Sequence, residues 1–245
     1  MNNELSQPAF SSSAPRAFQA IFESPNWLVN ILWLAVAALT QGLLIGQIML
    51  MGWGSDLLAF RAGRPGERVP DIDANRFGDY LAQGLWPFLV LFVVQCVLGA
   101  VMALPSIVLS IAGAMLGEDG FWLFLLFVPL LMVLAVVANL VSVPILIRGM
   151  LTQDFMASFD LNWIKDFVRR MFLELVIQGI LFALIAMLVA FLGLLALCIG
   201  IFPASGIISG AGMHLFAQYY ESYLQRGGMP VPSKIANDIV DAQVL

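Results

Sequence analysis

Apolar residues in this chain are gathered into long blocks instead of alternating with polar ones. Five blocks, at residues 27–53, 85–116, 121–147, 171–195 and 199–224, reach the roughly 20 residues that a helix needs to cross about 30 Å of hydrocarbon. The pattern predicts an all-α, polytopic transmembrane helical bundle of about five spans. Residues 1–26 read as a disordered or interfacial tail, with Phe18, Ile21 and Phe22 on one side of a short amphipathic turn. Residues 27–225 read as a single transmembrane domain, and 226–245 as a flexible C-terminal tail.

Two connections carry a helical period of their own, so two amphipathic interfacial helices are expected. In 152–170, Phe155, Met156, Phe159, Trp163, Ile164, Phe167 and Val168 recur at steps of three and four, while Asp154, Asp160, Lys165, Asp166 and Arg169 fall opposite. That stretch should lie along the surface. The other is expected after Asp73 as its cap, with Phe77, Tyr80 and Leu81 sharing a face before Gly84 leads into the membrane. The first block contains Thr40, Gln41, Gln47 and the close-contact pair Gly42 and Gly46. Two readings of it stand: a full crossing, and a kinked or re-entrant element around 40–46 whose exposed backbone is shielded by neighbours. The block at 85–116 is longer than a crossing requires and must tilt, kink at Pro105 or continue beyond the lipid.

The last block has a face of its own. Gly206, Gly210, His214, Gln218 and Ser222 follow at steps of four, so a small-residue stripe widens into a polar one that calls for a protein neighbour.

Composition sharpens this picture. The chain is 61% hydrophobic and 11% charged, against about a quarter charged in soluble domains; a water-soluble single domain is excluded. Net charge is −5, and no basic face alternates with aromatics, so nucleic acid is not an expected partner. Cys96 and Cys198 have no metal or redox spacing. The N-terminus lacks a basic start leading into an apolar core, so no cleavable signal is expected.

Charge also threads the chain. Lys and Arg concentrate in 61–76, 148–170 and the tail, whereas the turn Gly117-Glu118-Asp119-Gly120 has none. By the positive-inside rule the C-terminus is cytoplasmic and, with five crossings, the N-terminus is outside. The expected location is a bacterial inner (cytoplasmic) membrane. A coarse parallel repeat, 27–116 and 121–195, would then be closed by the fifth span at 199–224.

Several short motifs bear a resemblance. Ser24-Pro25-Asn26-Trp27, Gly52-Trp53, Val69-Pro70-Asp71 with Asp73, Gly84-Leu85, and His214-Leu215-Phe216-Ala217-Gln218-Tyr219 run along most of the chain. In these the chain resembles an uncharacterised prokaryotic integral-membrane family, domain of unknown function 4013. The resemblance implies a membrane fold and no reaction.

Candidate sites follow from polar groups inside apolar blocks. His214, with Asn139, Gln178 and Gln95, could line a polar path or bind a ligand; the plainer reading is a neutral imidazole bonded to Asn139, Gln178 or a carbonyl as helix glue. Glu174 is a fifth candidate of this intramembrane polar site, as a transport or catalytic carboxylate; the plainer reading is a structural ion pair with Arg170, within reach one turn away. Arg61, Arg64, Arg68, Arg76, Lys165, Arg169 and Arg170 are candidate contacts for anionic lipid headgroups, each contributing about 1 kcal/mol near a leaflet surface. Gly42, Gly46, Gly206 and Gly210 are candidate packing positions. The sequence offers no paired carboxylates, nucleophile triad, HExxH or phosphate loop, so no enzyme, metal or cofactor is expected. The expected role is a non-enzymatic membrane component that organises lipid or partner proteins, itself included; the alternative is a small-solute or lipid transporter with a polar path beside the fifth span.

Overall fold

The computed structural model describes residues 12–64, 69, 71–116, 120–196 and 199–235. Among them there is no strand. Seven α-helices follow in order: α1 (Ala14–Phe22), α2 (Trp27–Leu39), α3 (Ile45–Gly63), α4 (Phe77–Leu116), α5 (Gly120–Thr152), α6 (Leu161–Leu195) and α7 (Ile201–Gln225).

Helices α6 and α7 form an antiparallel pair on which the rest is assembled. Asp160 starts α6 by accepting from the N–H groups of Asn162 and Trp163, satisfying donors that a helix start leaves open. Near that end the rings of Trp163, Phe167 and Tyr223 interlock at centroid distances of 5.1, 5.3 and 4.7 Å; such pairs add about 0.5–1.5 kcal/mol each beyond the area they bury. After α7 the chain turns at Gly227, whose φ of 74° suits a residue without Cβ. It then crosses the same rings. Trp163 Nε1 donates to Met229 O, Val231 N donates to Tyr220 Oη, and Lys234 N donates to Leu151 O, at 3.0, 2.8 and 3.2 Å. The expectation of a flexible tail from 226 is therefore corrected for 226–235, which is pinned because two tyrosines and a tryptophan offer polar atoms beside an apolar seat; 236–245 lies outside the described residues.

The N-terminal tail is corrected too. Helix α1 lies against α6 and α7 with Ala14, Ala17, Phe18 and Ile21 buried, and Phe18 meets Phe182 at 5.1 Å. Three successive backbone N–H groups ahead of it find side-chain acceptors: Ser12 on Glu174, Ser13 on Gln218 (2.8 Å) and Ala14 on Gln178 (2.9 Å). Residues 12–22 are thus an ordered helix and its lead-in, packed on protein; 1–11 lies outside the described residues. Glu174 also pairs with Arg226, just beyond α7. The entry to α1 and the exit of α7 meet on one carboxylate, so they lie at the same end of the bundle, not at opposite ends as five crossings would require.

The first apolar block is not one span. It breaks at Thr40–Leu44, where a 3-10 turn (Gln41–Leu43) ends on Leu44 in the left-handed region, φ 65°. Helices α2 and α3 then pack back to back: a methyl group on Gly46 would overlap the Ala37 carbonyl. Asn30 accepts from Ile72 N (3.1 Å), so the start of α2 sits beside the chain that follows α3. At 13 residues, α2 is about 20 Å long, too short for a crossing. The chain therefore reverses at 40–44, and the block is a hairpin of two helices. Its apolar outer face, including Leu28, Leu32, Val36, Leu39 and Leu43, is exposed.

Neither connection helix stands alone. Asp73 does cap a turn, accepting from Asn75 N (2.9 Å), but Ala74–Arg76 runs directly into α4. The 152–170 stretch likewise bends only through 153–160 and then becomes the first turns of α6, where Trp163, Ile164 and Phe167 are buried on protein while Met156 in the bend stays exposed. The expected interfacial helices are corrected accordingly: α4 continues unbroken through Gly84 and Pro87, and α6 continues from Arg170 into Met171 without interruption. Helix α4 runs through Pro87 and Pro105, and α5 through Pro129 and Pro144, without a break in either. Three segments are long and apolar enough to cross a membrane: 74–115, 129–152 and 161–195. The bent pair α1 and α2, turning through 111°, makes a possible fourth. Helix α7, 25 residues long, is diluted by Gly, Ser, His and Gln.

Candidate functional site

Two concave features lie against α7. The first is a small polar cavity of about 40 Å³ around His214, lined among others by Trp53, Arg61, Asn30, Asp71 and Leu34. Helices α3 and α7 run side by side here, and the imidazole meets the Trp53 ring nearly at right angles, with centroids 5.8 Å apart. The small-residue stripe explains why α2 can close over this point. Gly206 approaches the Leu34 backbone so tightly that a methyl group would clash, and Gly210 receives the Leu34 side chain. The space suffices for a water molecule and for little more.

The second feature is larger and apolar. Helices α4 and α5 form one antiparallel hairpin, α6 and α7 another, and α5 touches α7 in few places. Between the hairpins a crevice of about 470 Å³ is lined by Asn139, Leu140, Val176, Gly179, Leu215 and Phe216 among others. A second cavity, of about 460 Å³, opens between α4 and α5 and shares Asn139, Val143 and Phe216 with it; Gln95 and Ser142 add polar atoms. Both are within the 300–1,000 Å³ typical of ligand clefts. Gly179 and Ile180 are exposed, so the crevice opens on the outer surface of the bundle.

The polar residues singled out in the sequence fall in three separate places. His214 is in the small cavity. Asn139 and Gln95, both exposed, line the crevice and its neighbour. Gln178 holds Ala14, as described. No common path joins the four. Glu174 pairs with Arg226, and Arg170 instead pairs with Asp166 at 2.9 Å while donating to Arg226 O; Glu174 and Asp166 are each one helical turn from Arg170, and the exit of α7 brings Arg226 to Glu174 in its place.

The basic residues also divide. Arg76 pairs with Asp56 at 2.6 Å, Arg61 lines the His214 cavity, and Arg64 lies over the Phe60 ring at 5.6 Å. Lys165 and Arg169 are exposed on α6. Arg68 lies outside the described residues. Gly46, Gly206 and Gly210 are at close contacts, whereas Gly42 has open space around it.

Other groups were not anticipated. Asp56, buried in α3 with no hydrogen-bond donor on Oδ1, and the Arg148–Asp160 pair (2.9 Å) at the α5–α6 junction left no periodic signal. Gly52 and Gly84 let α3 and α4 touch, at the Tyr80 and Ile48 carbonyls respectively. Beyond the bend after α5, the Ala157 N–H holds the Asp154 carboxyl below its usual range. Among the described residues no three His, Cys, Asp or Glu side chains form a metal-sized group.

No curated protein and no solved structure matches the chain. A family model described as a protein of unknown function (DUF4013) matches residues 35–201, from within α2 to the first residue of α7. That span takes in the α2–α3 turn, both walls of the crevice formed by α5 and α6, and more than half of the sequence, and the chain belongs to this family.

Proposed function

We propose that the chain is a non-enzymatic, multi-pass integral membrane protein that holds lipid in the crevice between its α4–α5 and α6–α7 hairpins, and so organises lipid around itself or around partner proteins. The observation that carries this reading is the crevice: a cleft of ligand size, apolar, open sideways, and set where the helices on both sides expose leucine, isoleucine and phenylalanine. In such surroundings the available occupant is an acyl chain. Apart from Arg16, on α1 between the levels of Gln178 and Phe182, the described Lys and Arg residues lie toward the end where α3, α5 and α7 finish and α4 and α6 begin. By the positive-inside rule that end is cytoplasmic, and with it both described ends of the chain. A bacterial cytoplasmic membrane fits this charge pattern.

The transporter reading has one supporting feature, the polar cavity that reaches His214. At about 40 Å³ it admits water and excludes a solute, which favours lipid holding.

The test is labelling by a phospholipid with a photoactivatable group on its acyl chain, in reconstituted protein. The expected result is label on Gly179, Leu215 and Phe216, falling severalfold in Gly179→Trp, which fills the crevice at a position with no atom within 4 Å of an added Cβ. Label confined to outward residues such as Leu184 and Phe191, and unchanged by the substitution, would overturn the reading.

A further inference from the structure

The α6 wall of the crevice does not end with the crevice. Val176, Gly179 and Ala183 line it, and the same stripe continues toward the basic end at steps of three and four through Phe172, Arg169 and Lys165. By helix rise Arg169 is about 10 Å and Lys165 about 16 Å from Val176. Phe172 is 49% exposed between them, so the surface passes from apolar cleft to apolar ring to cations without an acidic interruption.

These two cations differ from four others of their end. Arg76, Arg148, Arg170 and Arg226 are each held in an ion pair. Lys165 and Arg169 are exposed and enter no ion pair with a described residue, because Asp166, the nearest acid in sequence, turns to Arg170 and Tyr223. Their charge is directed outward, below the mouth of the crevice, at the level where the polar turns of α6 begin. A lipid with one chain in the crevice would place its phosphate there.

We propose that Lys165 and Arg169 form the headgroup subsite of the crevice and select an anionic phospholipid, whose acyl chain lies along Val176, Gly179 and Ala183. The proposal rests on the lipid-holding reading and adds the class of lipid. Zwitterionic lipids carry the same phosphate, but their own ammonium competes for it, whereas an anionic lipid offers its net charge to both side chains.

The protein, purified with mild delipidation, is incubated in nanodiscs containing phosphatidylglycerol and phosphatidylcholine of identical chains, and retained lipids are counted by native mass spectrometry. The wild type is expected to retain phosphatidylglycerol in preference, and K165Q/R169Q to lose that preference by roughly fivefold for each charge removed, with phosphatidylcholine retention unchanged. Arg16→Gln, an exposed cation on α1 away from the stripe, keeps the preference. Inorganic phosphate at matched ionic strength leaves it intact; competition by phosphate would show a free-anion site and overturn the proposal. Equal retention of both lipids by the wild type, or a preference that survives in K165Q/R169Q, also overturns it. If neither lipid is retained, the crevice reading itself fails. Both side chains are exposed and enter no ion pair with a described residue, so circular dichroism of the double variant should match the wild type.

Discussion

Asp71 joins two short motifs that the sequence presents forty-odd residues apart. Its carboxylate accepts from Ser24 Oγ, from Asn26 Nδ2 (2.8 Å) and from Asn30 Nδ2 (2.9 Å), while Asn30 Oδ1 accepts from the next backbone N–H at Ile72. The bend between α1 and α2 and the chain after α3 are thereby one junction, which fixes the α2–α3 hairpin at its open end. Hydrogen bonds to a charged acceptor are worth about 1.5–3 kcal/mol each where they are buried; this junction is partly exposed. Asp71→Ala is expected to lower stability by about 2–3 kcal/mol in total, and Asp71→Asn by less, since the amide keeps an acceptor. Equilibrium unfolding in detergent reads the difference. Equal stability of all three proteins would show that the junction is incidental. Both motifs were legible as unusual, but their pairing was not, because nothing local tells an asparagine which distant carboxylate it will meet.

At the scale of elements, the sequence marked where polarity changes and left open where helices end. The Thr40–Gly46 break was visible in its glycines and polar side chains. Its consequence, reversal instead of a kink, depended on the Gly46–Ala37 contact and the Asp71 junction, which are tertiary. The two amphipathic stretches were visible as well. They were expected to lie flat on the surface, yet each continues into the next long helix, since a change in which face is buried does not turn a helix axis. Close glycine contacts decide how α3 and α4 meet. A side chain at Gly52 or Gly84 would run into the carbonyl of Tyr80 or Ile48, backbone that cannot move aside alone. Gly84→Val should therefore cost about 1–3 kcal/mol or more through forced separation of the helices, whereas Gly78→Ala, with open space, should be close to neutral or slightly stabilising. Thermal unfolding of the two variants side by side checks the contrast; similar shifts would contradict the contact.

For the whole molecule, the count of crossings was the least legible property. Charge counting by itself placed Arg16 outside, because an uninterrupted first span forced the N-terminus across. Once α2 and α3 turn back, the start of α1 at Ser12 meets Glu174 and Arg226 on the basic side of the bundle, and the N-terminus need no longer be placed across from the C-terminus. The crevice was not legible either: Asn139, Phe216 and Gly179 belong to three helices and share no motif. The stripe from the crevice to Lys165 and Arg169 belongs to α6 alone; which side of the membrane it faces depends on the threading of the whole chain. Single cysteines at Ser13 and Lys234, in a background lacking Cys96 and Cys198, test that geometry in sealed vesicles of known sidedness. An impermeant maleimide is predicted to modify both positions from the cytoplasmic face and neither from the other. Modification of the two cysteines from opposite faces would contradict the account.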